Sequence, residues 1–224
     1  MGDCERELTR DLSDLQVAIR REAHCGDRVV NCFADCPSND FDMISRAASQ
    51  NPDGEALKFN DIRLTWRQLE RKSIGFAKGL ASHGVKPRDR LLLLLGNRTE
   101  FVIAFLACAK IGAIIVPVNI RVQRDALRQL VQHSGASAIL HERSLVEVLP
   151  TKAEAPDVSF RICPEACEGS ITFFDVYADD EISPETVIFE EGTRSINYTS
   201  GTCSRKMASW SSTAAWRIRP MSSK

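Results

Sequence analysis

Features that would tie this sequence of 224 residues to a particular partner or compartment are missing. An excess of charge of one sign is absent, because 29 basic residues are balanced by 30 acidic ones and the formal net charge is −1. That balance gives no electrostatic case for nucleic acid or an anionic membrane surface as the main partner. No apolar run approaches the roughly 20 residues of a membrane-spanning helix, and residues 1–7 lack the apolar core of an export signal. We therefore expect a cytoplasmic protein without a membrane span.

A disulfide framework and a recognisable metal motif are missing as well. The eight cysteines are scattered through the chain, and without an export signal this favours reduced thiols. Four potential ligands near the N-terminus do not have the spacing of a zinc finger or knuckle, so we expect no metal site; they are His24, Cys25, Cys32 and Cys36. The remaining histidines lie at predicted element ends and are interpreted as solvated or hydrogen-bonded residues; they are His83, His133 and His141.

What is present is the pattern of one α/β domain. Hydrophobic residues make up 43% of the chain, which is ordinary for a protein that buries a core. Two uninterrupted apolar runs, residues 91–95 and 113–118, are typical of parallel strands covered on both faces. Strands and helices alternate at short intervals around them, so we predict a layered parallel sheet with flanking helices.

The individual elements follow from hydrophobic period and turn signals. Residues 1–36 are charged, and four apolar residues at helical spacing in them predict a short amphipathic helix: Leu8, Leu12, Leu15 and Ile19. Thr65 is a predicted helix cap, with Gln68 at the capping-box position. The other predicted elements are helices over 41–48, 66–82, 101–110, 123–133 and 172–178, hairpin strands 56–59 and 62–64, and strands 136–140 and 158–162.

The most informative stretch is residues 196–202, where an apolar strand opens into small hydroxyl residues and a glycine. Gly201 permits a close backbone approach that a Cβ would block. Thr199, Ser200 and Thr202 offer hydroxyl groups, alongside loop N–H groups, to phosphate oxygens. A Walker loop is excluded, because no Gly-Lys-Ser/Thr follows at the required spacing. On these residues alone, a phosphate loop and a polar turn after an edge strand are both open.

Residues 198–202 resemble the start of the phosphate loop of the AMP-forming adenylating enzymes, which runs Tyr-Thr-Ser-Gly-Thr/Ser-Thr-Gly-x-Pro-Lys-Gly. Residues 203–207 replace the second glycine and the Pro-Lys-Gly with Cys-Ser-Arg-Lys-Met. Upstream segments resemble other motifs of the same superfamily in the same order, and the form Asn119-x-Arg121 resembles acyl-CoA synthetases more than peptide-synthetase adenylation domains. These segments are residues 64–69, 84–91, 97–101, 107–113 and 116–121.

The resemblance implies an activity and its ligands. Members of this superfamily activate a carboxylic acid with ATP and Mg²⁺ to form acyl-AMP and pyrophosphate, and a thiol, commonly that of CoA, then takes the acyl group. By resemblance, Thr199, Ser200, Gly201 and Thr202 hold the β- and γ-phosphates. Residues 1–36 would be an N-terminal extension, 37–202 a partial AMP-binding domain and 203–224 an irregular basic tail.

The family's Mg²⁺-binding glutamate, ribose-binding aspartate, acyl pocket and C-terminal domain with its catalytic lysine are expected beyond these 224 residues. No catalytic or metal-binding residue is therefore assigned here, and Lys206 has the wrong neighbours for the loop lysine. We expect the N-terminal part of an acid–thiol ligase, truncated and inactive as it stands. The alternatives are a non-catalytic nucleotide-binding or interaction module, or a peptide-synthetase-type adenylation fragment.

The tail, residues 203–224, has no acidic residue, five basic residues and two tryptophans, and it shows no helix or strand period. One interpretation is a basic, aromatic tail that contacts nucleic acid or membrane. We favour a shifted reading frame, because suitable codons read one nucleotide out of step can encode a sequence resembling the one that family members carry after this loop. The nucleotide sequence of the gene distinguishes the two.

Overall fold

The computed structural model describes residues 18–24, 28–177, 185–187, 193–199 and 207–212. These residues divide into two units, with the boundary between Cys36 and Pro37. In the first unit, β1 (Ile19–His24) and β2 (Arg28–Phe33) pair as an antiparallel hairpin. The predicted helix does not extend to Ile19, which pairs with Phe33, and its other positions lie outside the described residues. The hydrophobic period did not predict β2. Its β-branched and aromatic residues favour a strand.

The second unit contains four α-helices among its described residues, and each matches a predicted helix within a few residues. They are α1 (Asp40–Gln50), α2 (Trp66–Ser82), α3 (Thr99–Ile111) and α4 (Arg124–Ser134). A 3₁₀ helix, Arg143–Val148, was not predicted. None of the helices in the described ranges combines the length and apolar composition needed to cross a bilayer.

The strands of this unit form a hairpin and a larger sheet. The hairpin is β3 (Glu55–Phe59) with β4 (Ile62–Thr65), as predicted. The sheet has the order β11-β10-β6-β5-β7-β8-β9, in which β11 pairs antiparallel and the other pairs are parallel. Its strands are β5 (Arg90–Leu94), β6 (Ile114–Pro117), β7 (Ala138–His141), β8 (Phe160–Cys163), β9 (Ile171–Thr172), β10 (Thr193–Thr199) and β11 (Met207–Ser212).

The central strand β5 is covered on both faces, as its sequence predicts. Leu91 and Leu93 pack into the core formed with α1, α2 and α3. Leu92 and Leu94 pack into a second core on the other face, formed with α4. All four side chains are fully buried, and such burial contributes about 1.5–3 kcal/mol per leucine. The prediction of a layered α/β sheet is confirmed.

Local signals also set the helix ends correctly. The Thr65 hydroxyl accepts a hydrogen bond from the backbone N–H of Gln68, and the Gln68 side chain accepts one from the N–H of Thr65. This is the predicted capping box, which pairs two N–H groups that the helix itself leaves free. Gly112 ends α3 in a left-handed conformation with φ of 71°, where glycine avoids the steric cost of a Cβ.

Two predictions for the second half of the chain are wrong. The described part of the helix predicted over 172–178 is not helical: Thr172 ends β9 and residues 173–176 form turns. Phe173 instead stacks on Phe76 of α2, with ring centroids 4.2 Å apart, so tertiary packing overrides the local period. The tail was predicted to lack a strand, but β11 pairs along β10 from Met207 opposite Thr199. An adjacent strand edge supplies hydrogen-bond partners that no side-chain period in the tail reveals.

A buried ion pair joins the start of α1 to β10. Arg194 Nη1 lies 3.1 Å from both carboxylate oxygens of Asp40. Their side chains are only 15% and 5% exposed, respectively. Because these residues are 154 positions apart in the chain, this contact fixes where β10 lies beside the rest of the unit.

The first prediction concerns Gly79, where a Cβ would overlap the backbone carbonyl of Val176. The Gly79→Ala variant should lose about 3 kcal/mol of unfolding free energy, because backbone must move to make room. Gly75→Ala is the matched control in the same helix. Its Cβ would meet the Tyr177 ring at 2.7 Å. This half-buried ring also contacts Phe76 and Phe173, but a side chain shifts at lower cost than backbone. Urea denaturation should place this control within about 1 kcal/mol of wild type; equal losses in both variants would contradict the assignment.

The second prediction concerns the Asp40–Arg194 pair. Arg194→Met leaves the buried Asp40 carboxylate without its cation, so we expect about 3–5 kcal/mol of destabilisation in denaturant unfolding. Arg63→Met removes the Arg63–Glu55 pair, whose side chains are 58% and 51% exposed, and should cost about 0–1 kcal/mol. A similar small effect for both variants would show that the buried pair does not hold β10.

Candidate functional site

The parallel strands β10, β6, β5, β7, β8 and β9 place their carboxyl ends along one edge of the sheet. Ligands of open α/β sheets bind in the crevice outside these ends. The segments that reach this carboxyl edge include residues 96–98 after β5, Glu142 after β7, residues 164–167 after β8, and Thr199 at the end of β10. The candidate site is therefore sought along this edge.

The predicted phosphate loop begins at this edge. Thr199 is the last residue of β10, and its Cα partner is Met207, the first residue of β11. Residues 200–206 connect these two paired residues along the chain. Ser200, Gly201 and Thr202 lie outside the described residues, as does the side chain of Thr199. Their contact with phosphate stays a prediction.

The strand that enters the loop is held by Tyr198. Its hydroxyl lies 2.7 Å from Nδ1 of His133, near the end of α4, and the two rings meet edge to face with centroids 5.7 Å apart. Burial raises the pKa of Tyr198 above its ordinary value, so the phenol stays neutral. His133 was predicted to be a satisfied residue, and this hydrogen bond confirms it. The contact fixes the backbone position one residue before Thr199.

A second polar group occupies the carboxyl edge at the point where the strand order reverses. The order β6-β5-β7-β8-β9 places this switch between β5 and β7. Arg98, which follows β5, lies 3.0 Å from Glu142 after β7 and 2.8 Å from Glu165 after β8. Its Nε also donates to Glu100 of α3, at 3.3 Å. We call Arg98, Glu100, Glu142 and Glu165 the Arg98 network.

The network keeps its charges. Burial alone would lower the pKa of the Arg98 guanidinium, but hydrogen bonds to Glu165, Glu100 and Glu142 outweigh it, so the net shift is upward. Burial would also raise the pKa of Glu100, but its own backbone N–H and the bonds and charge of Arg98 outweigh that effect, so the net shift is downward. Because the guanidinium donors are directed at carboxylates, Arg98 braces the loops of this edge.

Beside the network lies a group of potential metal ligands that sequence reasoning missed. His141 Nδ1 or Nε2 and the sulfur atoms of Cys163 and Cys167 lie within 4.8 Å of one another. His141 was interpreted as a solvated or satisfied histidine; it is hydrogen-bonded, but it is fully buried. The spacing Cys163-x-x-x-Cys167 directly after a predicted strand was the available signal.

A cavity of about 270 Å³ opens at the opposite end of β8, lined by residues that include Lys152 and Arg161. Its two cationic side chains already bond to backbone carbonyls. Lys152 Nζ donates to Val158 at 2.6 Å and to Pro156 at 2.9 Å, and Arg161 donates to Pro150. Burial also lowers the pKa of Arg161. These cations therefore brace the cavity wall, which makes it a weaker candidate for an anionic ligand than the carboxyl edge.

Comparison with known proteins bears on the whole second unit. The family model described as "AMP-binding enzyme" matches residues 44–206. The medium/long-chain-fatty-acid–CoA/3-oxocholest-4-en-26-oate–CoA ligase of Mycolicibacterium smegmatis is 40% identical over 124 residues, which cover 54% of this chain and 22% of that protein. A linear gramicidin synthase of Brevibacillus parabrevis is 29% identical over 159 residues, covering 70% of this chain and 3% of that protein.

A solved structure supports the fold. The crystal structure of a putative long-chain-fatty-acid CoA ligase from Rhodopseudomonas palustris superposes with a TM-score of 0.71 at 23% identity, covering 78% of this chain and 44% of that one. The match to the Mycolicibacterium smegmatis ligase spans less than a quarter of that enzyme's length. Since the family model matches well over half of the residues and the fold agrees with it, this chain belongs to the AMP-binding enzyme family.

Proposed function

We propose that this chain supplies the N-terminal part of an AMP-forming acid–thiol ligase, in which residues 199–202 hold the β- and γ-phosphates of ATP. The observation that carries the proposal is the family match over residues 44–206, which includes the loop that follows β10. The loop starts at the carboxyl edge, where α/β proteins bind their ligands. The Tyr198–His133 hydrogen bond holds its first strand in place.

The reaction in this proposal joins a carboxylic acid to AMP, releases pyrophosphate, and transfers the acyl group to a thiol. ATP, Mg²⁺ and CoA are its ligands, and the cytoplasm is the proposed location. A CoA ligase is favoured over a peptide-synthetase domain because the mycobacterial fatty-acid–CoA ligase is 40% identical and the gramicidin synthase 29%. The Asn119-x-Arg121 form also favours a CoA ligase.

Within these 224 residues, we propose that the chain does not complete adenylation. Each hydrogen bond to a charged phosphate oxygen contributes about 1.5–3 kcal/mol, but association costs at least about 4 kcal/mol in lost translational and rotational freedom. Micromolar binding needs a net free energy of about 8 kcal/mol. The loop alone therefore holds ATP only weakly. The acyl pocket, the Mg²⁺-binding glutamate and the catalytic lysine of the family are not recognisable in this sequence.

The third prediction tests both statements on the purified 224-residue chain. Pyrophosphate release with ATP, Mg²⁺ and a panel of fatty and aromatic acids should stay at the blank. Thermal unfolding with about 10 mM Mg-ATP should show stabilisation of roughly 1.4 kcal/mol, which corresponds to a dissociation constant near 1 mM. The double variant Ser200→Ala/Thr202→Val should lose this stabilisation. Ser49→Ala, an exposed hydroxyl on α1, should retain it.

The outcomes separate the candidate functions. Turnover above the blank would contradict the proposal that these residues cannot adenylate an acid. An unchanged ATP response in the double variant would contradict the assignment of the loop. Micromolar binding without turnover, lost in the double variant, would instead indicate a non-catalytic nucleotide-binding module derived from such a ligase.

A further inference from the structure

We propose that His141, Cys163 and Cys167 form a binding site for a thiophilic divalent cation of the zinc class. The site stands apart from β10, the strand that leads to the predicted phosphate loop, because β7 and β8 are separated from β10 by β5 and β6 in the sheet. It does not depend on the function proposed above. The cation would join the end of β7 to the segment that follows β8.

The ligand atoms are close to the arrangement that zinc requires. Ligands held about 2.0–2.3 Å from a shared zinc ion lie roughly 3.5–4 Å from one another. The histidine nitrogen and the two sulfur atoms already lie within 4.8 Å of one another. A contraction of about 1 Å or less therefore brings them onto one ion. Thiolate and imidazole are the ligands that zinc prefers, in contrast to the oxygen ligands of Mg²⁺.

The histidine is oriented as a metal ligand. Its Nδ1 lies 2.9 Å from the backbone carbonyl oxygen of Glu142. A carbonyl oxygen can only accept a hydrogen bond, so Nδ1 carries the proton and Nε2 presents its lone pair. The Ser170 hydroxyl lies 2.8 Å from Nε2 and donates to that lone pair, so a cation bound at Nε2 takes the place of this hydroxyl hydrogen. An imidazole held by a backbone carbonyl on one nitrogen and ligating through the other is the usual arrangement in zinc sites.

The backbone of each cysteine is held by a separate hydrogen bond. Cys163 ends β8, and its carbonyl accepts a 2.8 Å hydrogen bond from the N–H of Phe173, so its backbone is tied to the segment after β9. Cys167 lies four residues on, in the loop that leads to β9, and its carbonyl accepts from the N–H of Ser170 at 3.2 Å. Cys163 and Cys167 are both free thiols. The loop therefore already presents both sulfur atoms to the buried histidine.

Nearby charges favour a cation. Glu165 Oε2 lies 3.8 Å from Cys163 Sγ, so a carboxylate stands beside the thiols to complete the coordination or to hold a water molecule there. The charges of two carboxylates, Glu142 and Glu165, act on His141 against that of one guanidinium, Arg161; both carboxylates also pair with Arg98. Binding of the cation stabilises the thiolate form of both cysteines, which releases their protons to solvent.

The fourth prediction is measured by titrating the full-length, reduced chain with Co²⁺, a spectroscopic substitute for zinc. We expect a thiolate-to-cobalt charge-transfer band and intense visible bands that saturate at one equivalent and are bleached by Zn²⁺. The double variant Cys163→Ser/Cys167→Ser should lose both. His141→Asn keeps a donor for the Glu142 carbonyl and removes the Nε2 ligand. Loss of a residue that only hydrogen-bonds to a metal ligand weakens metal affinity by roughly 10–100-fold. The His141→Asn variant removes a ligand itself, so its affinity for Co²⁺ should fall by more than that.

The matched control is Cys25→Ser/Cys32→Ser/Cys36→Ser, which removes the other cysteine group and should leave the titration unchanged. X-ray absorption at the zinc edge of the wild-type chain should show two sulfur ligands and a histidine nitrogen, a measurement independent of any variant. The proposal is overturned by absence of the charge-transfer band, by its survival in the Cys163/Cys167 double variant, or by its loss in the control. It is also overturned if Cys163 and Cys167 form a disulfide and the reduced chain binds no metal.

Discussion

Burial of β5 on both faces is the constraint on which the rest of the second unit depends. Four consecutive leucines, Leu91 to Leu94, alternate between two cores and are fully buried. A strand in this position needs neighbouring strands to pair with its backbone and helices to cover its side chains, because neither group can face water; here both neighbouring strands are parallel to it. β6 and β7 are the neighbouring strands, and α3 and α4 are among the helices that cover the two faces. The common edge formed by the carboxyl ends of these strands is a direct consequence of this parallel arrangement.

Polar contacts lie along the carboxyl edge, outside the two apolar cores. At β10, the Asp40–Arg194 pair and the Tyr198–His133 hydrogen bond hold the strand before the loop. At the switch between β5 and β7, the Arg98 network takes the place that a ligand occupies in other α/β sheets. Its guanidinium is bonded to carboxylates from three segments. β10, the strand that leads to the predicted phosphate loop, therefore lies two strands away from that switch, beside β6.

Much of this arrangement could be predicted from the chain because it depends on residues close together in sequence. The capping box at Thr65 and Gln68, the left-handed end of α3 at Gly112 and the two-sided pattern of residues 91–94 are all local. The wrong predictions for residues 172–178 and for the tail share one cause, which is a contact with a segment distant in sequence. Residues 172–178 carry a local helical period, but the stacking of Phe173 on Phe76 outweighs it. The pairing of β11 with β10 likewise depends on an adjacent strand edge and not on the period of the tail.

By itself, the sequence determined the α/β class, the order of strands and α-helices from α1 to β8, and the adenylating-enzyme motifs that end in residues 198–202. Only the tertiary structure decided which side chains meet. Asp40 and Arg194 are 154 residues apart, and Arg98 and Glu142 are 44 apart. His141, Cys163 and Cys167 converge because β7 and β8 are adjacent in the sheet. The physical reason is that hydrophobic period and capping act over a few residues, whereas the partners of a charged or ligating side chain depend on strand order.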